Sequence, residues 1–154
     1  MNHQRRTVLK GVGSAAAVGV AVAAGLLKPT AAFAGDRSAF DAKGLDAAMK
    51  AIKATGAAES KDIIVKAPDI AENGAVVPVE ITSNIAGTES IAILAEKNAS
   101  PMVGEFNLSN GAQGFISTRI KLANTSNVRA VVKAGSKMYT ATKEVKVTIG
   151  GCGG

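Results

Sequence analysis

The only cysteine of this 154-residue sequence, Cys152, lies between two pairs of glycines close to the last residue. A cysteine used for packing needs apolar neighbours, and none surrounds this one. Glycine has no side chain and loses the most conformational freedom when it is ordered. Five extended residues span roughly 17 Å. The sequence therefore predicts a narrow, flexible carrier arm with one thiol, formed by Gly150, Gly151, Cys152, Gly153 and Gly154.

The chemistry open to this arm is covalent attachment through sulfur. An exposed cysteine has a pKa of about 8.5, so only a few per cent is thiolate at neutral pH. The carboxylate expected at Gly154 disfavours a second negative charge, and the sequence alone does not place the side chains of Lys143 and Lys146 near the thiol. We therefore expect Cys152 to react inside the active site of another protein, which a segment without side chains could enter.

The other residues offer little catalytic machinery. The only histidine is His3, in the N-terminal segment that we expect to be removed on export, so the mature chain could not form a Ser-His-Asp or Cys-His arrangement. One cysteine without histidine excludes an ordinary zinc, haem or iron–sulfur site. The scattered carboxylates are interpreted as solvated. The sequence thus predicts no catalytic residue, no metal site and no cofactor, as expected of a carrier and not of an enzyme.

Residues 1–34 are typical of a twin-arginine export signal. Arg5 and Arg6 open the pattern Arg-Arg-Thr-Val-Leu-Lys, and residues 11–27 form a weakly hydrophobic run rich in Ala, Gly and Val. Residues 32–34, Ala-Phe-Ala, match a cleavage site. A membrane anchor is the alternative, but about 17 residues is the lower limit for a span. We expect export of the folded protein by the twin-arginine translocase, cleavage before Gly35, a periplasmic location and no stable membrane anchor.

The basic charge of the chain comes largely from this segment. The sequence has 18 Lys and Arg against 12 Asp and Glu, a formal charge of +6. Four of the basic residues and none of the acidic ones precede residue 35, so the remainder carries only +2. It has no basic stripe interleaved with aromatic residues, and nucleic-acid binding is therefore not expected.

An amphipathic helix is predicted over residues 36–56, within an N-terminal helical region of residues 35–60. Ser38 followed by Asp41 matches a capping box, and Gly56 is placed to end the helix. Four apolar residues share one face and are expected to pack on the sheet domain: Leu45, Ala48, Met49 and Ile52.

From Lys61 onwards apolar residues alternate with a period of two, which is typical of strands. Six such runs, separated by turn signals, begin at Ile63, Val77, Ile91, Ile116, Val128 and Val145. They predict a mainly β fold over residues 61–149, an immunoglobulin-like antiparallel β-sandwich of about seven strands. Pro78 within one run predicts that its strand lies at a sheet edge or is broken. The last run leads directly into residues 150–154.

The leader, the strand pattern, residues 67–79 (Ala-Pro-Asp-Ile-Ala-Glu-Asn-Gly-Ala-Val-Val-Pro-Val) and the Gly-Gly-Cys-Gly-Gly ending together resemble the SoxY family. The resemblance implies a sulfur carrier for bacterial thiosulfate and sulfur oxidation, with the substrate held covalently on Cys152. It implies a SoxYZ heterodimer with a SoxZ-like subunit that is exported together with this chain. The implied enzymes are haem-containing SoxAX, which joins thiosulfate to the thiol, SoxB, which releases sulfate, and a SoxCD-type dehydrogenase.

Three other interpretations of the arm are open. The first is an inert, frayed terminus, and the second is an exported β-sandwich structural or interaction protein that is cross-linked through Cys152. The third is a ubiquitin-like sulfur carrier with a thiocarboxylate on its last glycine, which conflicts with both the leader and the strand pattern. Prenylation does not fit, because Cys152 lies third from the end without aliphatic residues after it.

Overall fold

The computed structural model describes residues 37–148, which form two short helices and nine strands. The helices are α1 (Ser38–Asp41) and α2 (Leu45–Ala51). The strands are β1 (Ala58–Glu59), β2 (Ile63–Lys66), β3 (Ile70–Ala71), β4 (Val77–Ser83), β5 (Thr88–Ala95), β6 (Met102–Asn107), β7 (Phe115–Ile120), β8 (Ser126–Ala134) and β9 (Lys137–Val147). Neither helix in this range has the length and apolar character required to cross a membrane.

The strands form two sheets. The larger sheet has the order β1-β9-β8-β5-β6, with β3 also paired to β9, and the smaller sheet has the order β2-β4-β7. Pairing is antiparallel except at β9, along which the short strands β1 and β3 run parallel. The β8–β9 hairpin is the longest pairing and extends from Ser126 opposite Val145 to Ala134 opposite Lys137. The prediction of a mainly β fold with two sheets is confirmed.

The larger sheet is buried on both faces, which explains the composition of its inner strand β5. Ile91 and Ile93 of β5 belong to the core shared with the smaller sheet, where they meet Val79 of β4. Ala92 and Leu94, on the opposite face of β5, pack against the helices. A strand covered on both faces reads as a continuous apolar run and not as an alternation.

The helical region is not one continuous helix. Gly44, with φ +86°, takes the N-cap position of α2 and separates it from α1. Helix α1 begins at Ser38 with Arg37 as its N-cap residue, and no side chain caps it. The predicted capping box of Ser38 and Asp41 is therefore not formed, because Ser38 is already inside the helix.

Helix α2 ends earlier than predicted, in a Schellman motif. The amide of Lys53 donates to the carbonyl oxygen of Lys50 (3.0 Å), and the amide of Ala54 donates to that of Met49 (2.8 Å). Lys53, with φ +57°, takes the left-handed position that the sequence assigned to Gly56. The predicted apolar face is confirmed: it packs on the larger sheet through Leu45, Ala48, Met49 and Ile52.

Strand β4, which contains Pro78, is the continuous central strand of the smaller sheet, so the prediction that this strand lies at a sheet edge or is broken is wrong. Pro78 pairs with Arg119 of β7 on one side. On the other side the pairing of β4 with β2 ends with Lys66 opposite Glu80, two residues after the proline in the sequence. At Pro78 the strand therefore has one neighbour only, and a residue without an N–H group is tolerated there.

Candidate functional site

The residues that the sequence nominates for function lie outside the described range: Cys152, Gly150, Gly151, Gly153, Gly154, Arg5 and Arg6. Thr148, the last described residue, precedes Cys152 by four positions. At about 3.3–3.6 Å per residue, the α-carbon of Cys152 lies within about 14 Å of that of Thr148. The described structure therefore shows how the domain holds the strand that leads to the thiol.

We define the arm base as residues 69–74, 122–126 and 145–148, which surround the end of β9. On one side β3 runs parallel to β9, with Ala71 opposite Val147. The amide of Lys146 donates to the carbonyl oxygen of Asp69 at 2.9 Å, and that of Thr148 donates to the carbonyl oxygen of Ala71 at 3.2 Å. Ala71 is buried in the core between the sheets, so the end of β9 is attached to a strand that is anchored in the core.

On the other side of β9 the last hydrogen bond is made by the side chain of Thr125 and not by a neighbouring strand. The pairing with β8 stops at Ser126 opposite Val145, two residues before β9 ends. The hydroxyl of Thr125 accepts a hydrogen bond of 2.9 Å from the amide of Val147, and the same oxygen lies 3.5 Å from the carbonyl oxygen of Val147. The three amides of residues 146–148 thus all have an acceptor.

Gly74 allows the adjoining loop to approach the end of β9 closely. Its carbonyl oxygen accepts a hydrogen bond of 2.7 Å from the amide of Leu122. A β-carbon on Gly74 would lie 2.5 Å from the carbonyl oxygen of Leu122 and 2.9 Å from a methyl carbon of Val147. Only glycine fits between these two residues without a shift of the main chain.

A further side chain ties the neighbouring loops together. The side-chain nitrogen of Asn98 donates to the carbonyl oxygen of Lys121 at 2.8 Å, and its side-chain oxygen accepts from the main-chain amide of Ala123 at 3.0 Å. The buried hydroxyl of Ser126 accepts from the amide of Lys97 at 3.0 Å. The loops at this end of the two sheets are therefore joined to each other and, through Leu122 and Gly74, to β9.

The structure also shows the position of the Lys143 side chain, which the sequence alone did not place. Lys143 Nζ lies 2.9 Å from a carboxylate oxygen of Asp69, the residue whose main chain accepts from Lys146. Asp69 thus contacts β9 with its main chain and its side chain. Its carboxylate is 88% exposed, so the ion pair adds little to stability.

One carboxylate with a shifted pKa lies at the opposite end of the larger sheet. The hydrogen bond from Lys133, and then the positive charge of that lysine, lower the pKa of Glu89 from its usual 4.5, and the amide of Gly135 adds to the effect. Lys133 Nζ lies 2.8 Å from the Glu89 carboxylate. This pair has no contact with the arm base and is interpreted as a surface ion pair.

Two cavities also lie away from the arm base. One, of about 410 Å³, lies beside α2 and the β8–β9 turn and is lined by Ile52, Lys53 and Ser136 among others. The other, of about 460 Å³, lies between the β4–β5 and β6–β7 loops. Within residues 37–148 no three His, Cys, Asp or Glu side chains come together in a way that could hold a metal ion.

The arm base was not predicted from the sequence, although a signal for it was present. Residues 67–79, which carry part of the resemblance, include Asp69, Ala71 and Gly74. Their spacing shows no clear strand period, because β3 has only two residues and the next contact is made by a glycine. Thr125 had no signal beyond a turn composition.

Comparisons with known proteins identify a matching family and a similar solved structure. A family profile described as "Sulfur oxidation protein SoxY" matches residues 48–152, a range that contains the arm base and Cys152. No curated protein matches the chain. Among the solved structures that match is that of the sulfur carrier protein SoxY from Chlorobium limicola f thiosulfatophilum. It is 39% identical, with a TM-score of 0.57, and the match covers 73% of this chain and 92% of that chain.

Proposed function

This chain belongs to the SoxY family of sulfur oxidation proteins, and on that premise we propose that it carries sulfur intermediates covalently on Cys152 during thiosulfate oxidation. The observation that carries the proposal is that the family match extends to Cys152, the only cysteine in the sequence. In this proposal the chain acts as a substrate carrier without catalytic residues or a cofactor of its own, and partner enzymes perform the reactions.

The proposed chemistry begins with a bond between Cys152 sulfur and the outer sulfur of thiosulfate. The thiol loses its proton, and two electrons pass to a haem enzyme of the SoxAX type, which leaves a cysteine S-thiosulfonate. A SoxB-type hydrolase then adds water to the terminal sulfonate, so that sulfate leaves and a persulfide remains on Cys152. A SoxCD-type dehydrogenase, where one is present, oxidises that remaining sulfane sulfur.

The arm base supports this proposal by what it offers a carrier. An arm that visits several active sites must be free at its tip and fixed at its origin, since a fixed origin confines the thiol to a small volume. Bonds on both sides of β9 hold residues 146–148, and the glycines begin two residues after Thr148. A glycine segment is narrow enough for a confined active site, and the loss of about 1–2 kcal/mol of backbone entropy per ordered residue favours release.

We further propose a periplasmic location, reached through the twin-arginine translocase, and a heterodimer with a SoxZ-like subunit. The support for export is the N-terminal segment, which contains Arg5, Arg6 and the Ala-Phe-Ala cleavage site. Cleavage at this site would remove residues 1–34. Export of a folded pair would account for the use of a folded-protein route by a chain that needs no cofactor.

An immunoglobulin-like arrangement remains our proposal for the sandwich. Its support is the antiparallel pairing of β2, β4 and β7 in one sheet and of β9, β8, β5 and β6 in the other, with a shared core between the sheets.

Intact-mass analysis of the exported protein tests the proposed function. After incubation with thiosulfate and a SoxAX-type enzyme, we expect an adduct of the thiosulfonate mass that maps to Cys152 and is removed by a thiol reductant. The variant Cys152→Ser is the matched control, with the same melting temperature and no adduct. Absence of an adduct from the wild-type protein, or an adduct that persists in Cys152→Ser, would overturn the proposal.

A further inference from the structure

The amides of the last three described residues, 146–148, are held in different ways. The amides of Lys146 and Thr148 donate to the main-chain oxygens of Asp69 and Ala71, whereas the amide of Val147 donates to the side-chain hydroxyl of Thr125 at 2.9 Å. Since β8 begins at Ser126, its ladder of hydrogen bonds has already ended at this level. The hold on Val147 from this side therefore depends on one oxygen atom, which a single substitution can remove.

We propose that the Thr125 hydroxyl is a positioning group that fixes the point at which the carrier arm leaves the domain, an inference that rests on the proposed carrier function. With Val147 held, four residues separate Thr148 from Cys152, a reach of about 14 Å. Without the bond to Thr125, one main-chain hydrogen bond, from Thr148 to Ala71, holds the strand end beyond Lys146, and release of Val147 and Thr148 would extend the reach by about 7 Å. The thiol would then be distributed over a volume about three times larger, which lowers its effective concentration at a docked enzyme by the same factor.

The effect of the Thr125 hydroxyl can be measured separately from the effect of side-chain packing around Val147. The Val147 side chain packs against the core that includes Ala71, and it lies close to Gly74. Valine has nearly the shape of threonine but has no acceptor, so Thr125→Val keeps the contacts and leaves the amide of Val147 without its partner. Thr125→Ser keeps the oxygen and is the matched control.

The first measurement is amide hydrogen exchange in the exported protein. Loss of one hydrogen bond predicts about fivefold faster exchange at Val147 in Thr125→Val. We expect wild-type exchange in Thr125→Ser. We also expect it in Ile93→Val, a core substitution distant from the arm base, because amides at a strand end exchange through local opening and not through global unfolding.

The second measurement is transfer. Thiosulfate-dependent loading of Cys152 by a purified SoxAX-type enzyme is compared with alkylation of the same thiol by iodoacetamide. Loading is expected to be up to about threefold slower in Thr125→Val, with alkylation unchanged. Thr125→Ser is expected to restore the loading rate, and Ile93→Val to load normally.

Each other outcome overturns the inference at a defined step. Normal Val147 exchange in Thr125→Val would show that the hydroxyl does not hold the strand end. Faster exchange with normal loading would show that the exit point does not affect transfer. Equal slowing in Thr125→Val and Ile93→Val would assign the effect to general stability. If the wild-type protein does not load, the carrier function itself fails, while the exchange data still decide whether Thr125 fixes the exit point.

Discussion

The glycines beside Cys152 carry a prediction that separates a carrier from a cross-linked structural protein. Substitution of Gly151 and Gly153 by valine widens the arm by two branched side chains next to the thiol. We expect enzymatic loading with thiosulfate to fall at least about a hundredfold, because a clash with the walls of a confined site costs roughly 3 kcal/mol or more. Alkylation of Cys152 by a small reagent should stay within about twofold of wild type.

The matched control for this pair is Gly87→Asn, which places a larger residue in an exposed turn with no atom nearby and is expected to load normally. A disulfide cross-link requires only an exposed thiol, so it should tolerate both valines. Unimpaired loading of the double variant would contradict the proposed entry of the arm into partner active sites.

A second residue-scale prediction concerns the ion pair at the opposite end of the sheet. The folded state lowers the pKa of Glu89 below its usual 4.5, so its ionised form stabilises the folded protein above that pH. That contribution is lost as the pH falls through the lowered pKa, when the carboxyl group is protonated in both states. Denaturant unfolding should show a small deficit for Glu89→Gln at pH 7 that disappears on acidification.

The hydrogen bond from Lys133 and, after it, the charge of that lysine lower the pKa of Glu89, so Lys133→Met should return this pKa towards 4.5 in an NMR titration. High salt should weaken the shift, because the pair is exposed. A Glu89 pKa that is the same in wild type and Lys133→Met would contradict this account.

At the scale of the elements, Gly74 couples the β3–β4 connection to the end of β9. A β-carbon there would lie 2.5 Å from a main-chain oxygen of Leu122, which cannot rotate away. We expect Gly74→Ala to lower the free energy of unfolding by about 1–3 kcal/mol through overpacking. It should also increase hydrogen exchange at residues 146–148, since Val147 is the second contact.

Gly56→Asn is the control for this substitution. Gly56 also has an unusual backbone angle, φ +82°, but no atom lies near its missing β-carbon, and asparagine tolerates that angle. Urea unfolding should therefore show little change in Gly56→Asn. Equal stability of Gly74→Ala and wild type would show that the loop can move away from β9.

For the whole molecule, the two sheets differ in what covers their outer faces. The helices pack on the larger sheet. On the outer face of the smaller sheet, Ile64 of β2 and Phe115 of β7 lie on either side of Thr82, and they are 43% and 48% exposed. Exposed apolar side chains in one row are typical of an interaction surface. We predict that the proposed SoxZ-like subunit contacts this face.

The double variant Ile64→Ser, Phe115→Ser should weaken the heterodimer at least about tenfold, as expected when an apolar anchor is lost from an interface. Ile70→Ser is the control, because Ile70 is equally apolar and 58% exposed but lies on β3 beside the larger sheet. Analytical ultracentrifugation of the co-purified pair measures both. Equal weakening by the control would place the interface elsewhere.

The sequence alone determined the features that depend on residue type and local spacing. The lone cysteine among the terminal glycines predicts a flexible arm, because glycine has no side chain to pack, and this arm lies outside the described residues. The apolar runs located β2, β4, β5, β7, β8 and the end of β9, since each of these strands turns at least one face to the core. They did not locate β6, where Gly104 interrupts the apolar pattern, or the two-residue strands β1 and β3.

Only the tertiary structure decided which neighbours each strand has. Pro78 is tolerated in the central strand β4 because the pairing with β2 does not extend to it. The continuous burial of β5 reflects the helices that cover its second face. The arm base joins Asp69, Thr125 and Val147, which are far apart in the sequence. Their contacts arise from strand ends that are brought together by the packing of two sheets, and no local period encodes that meeting.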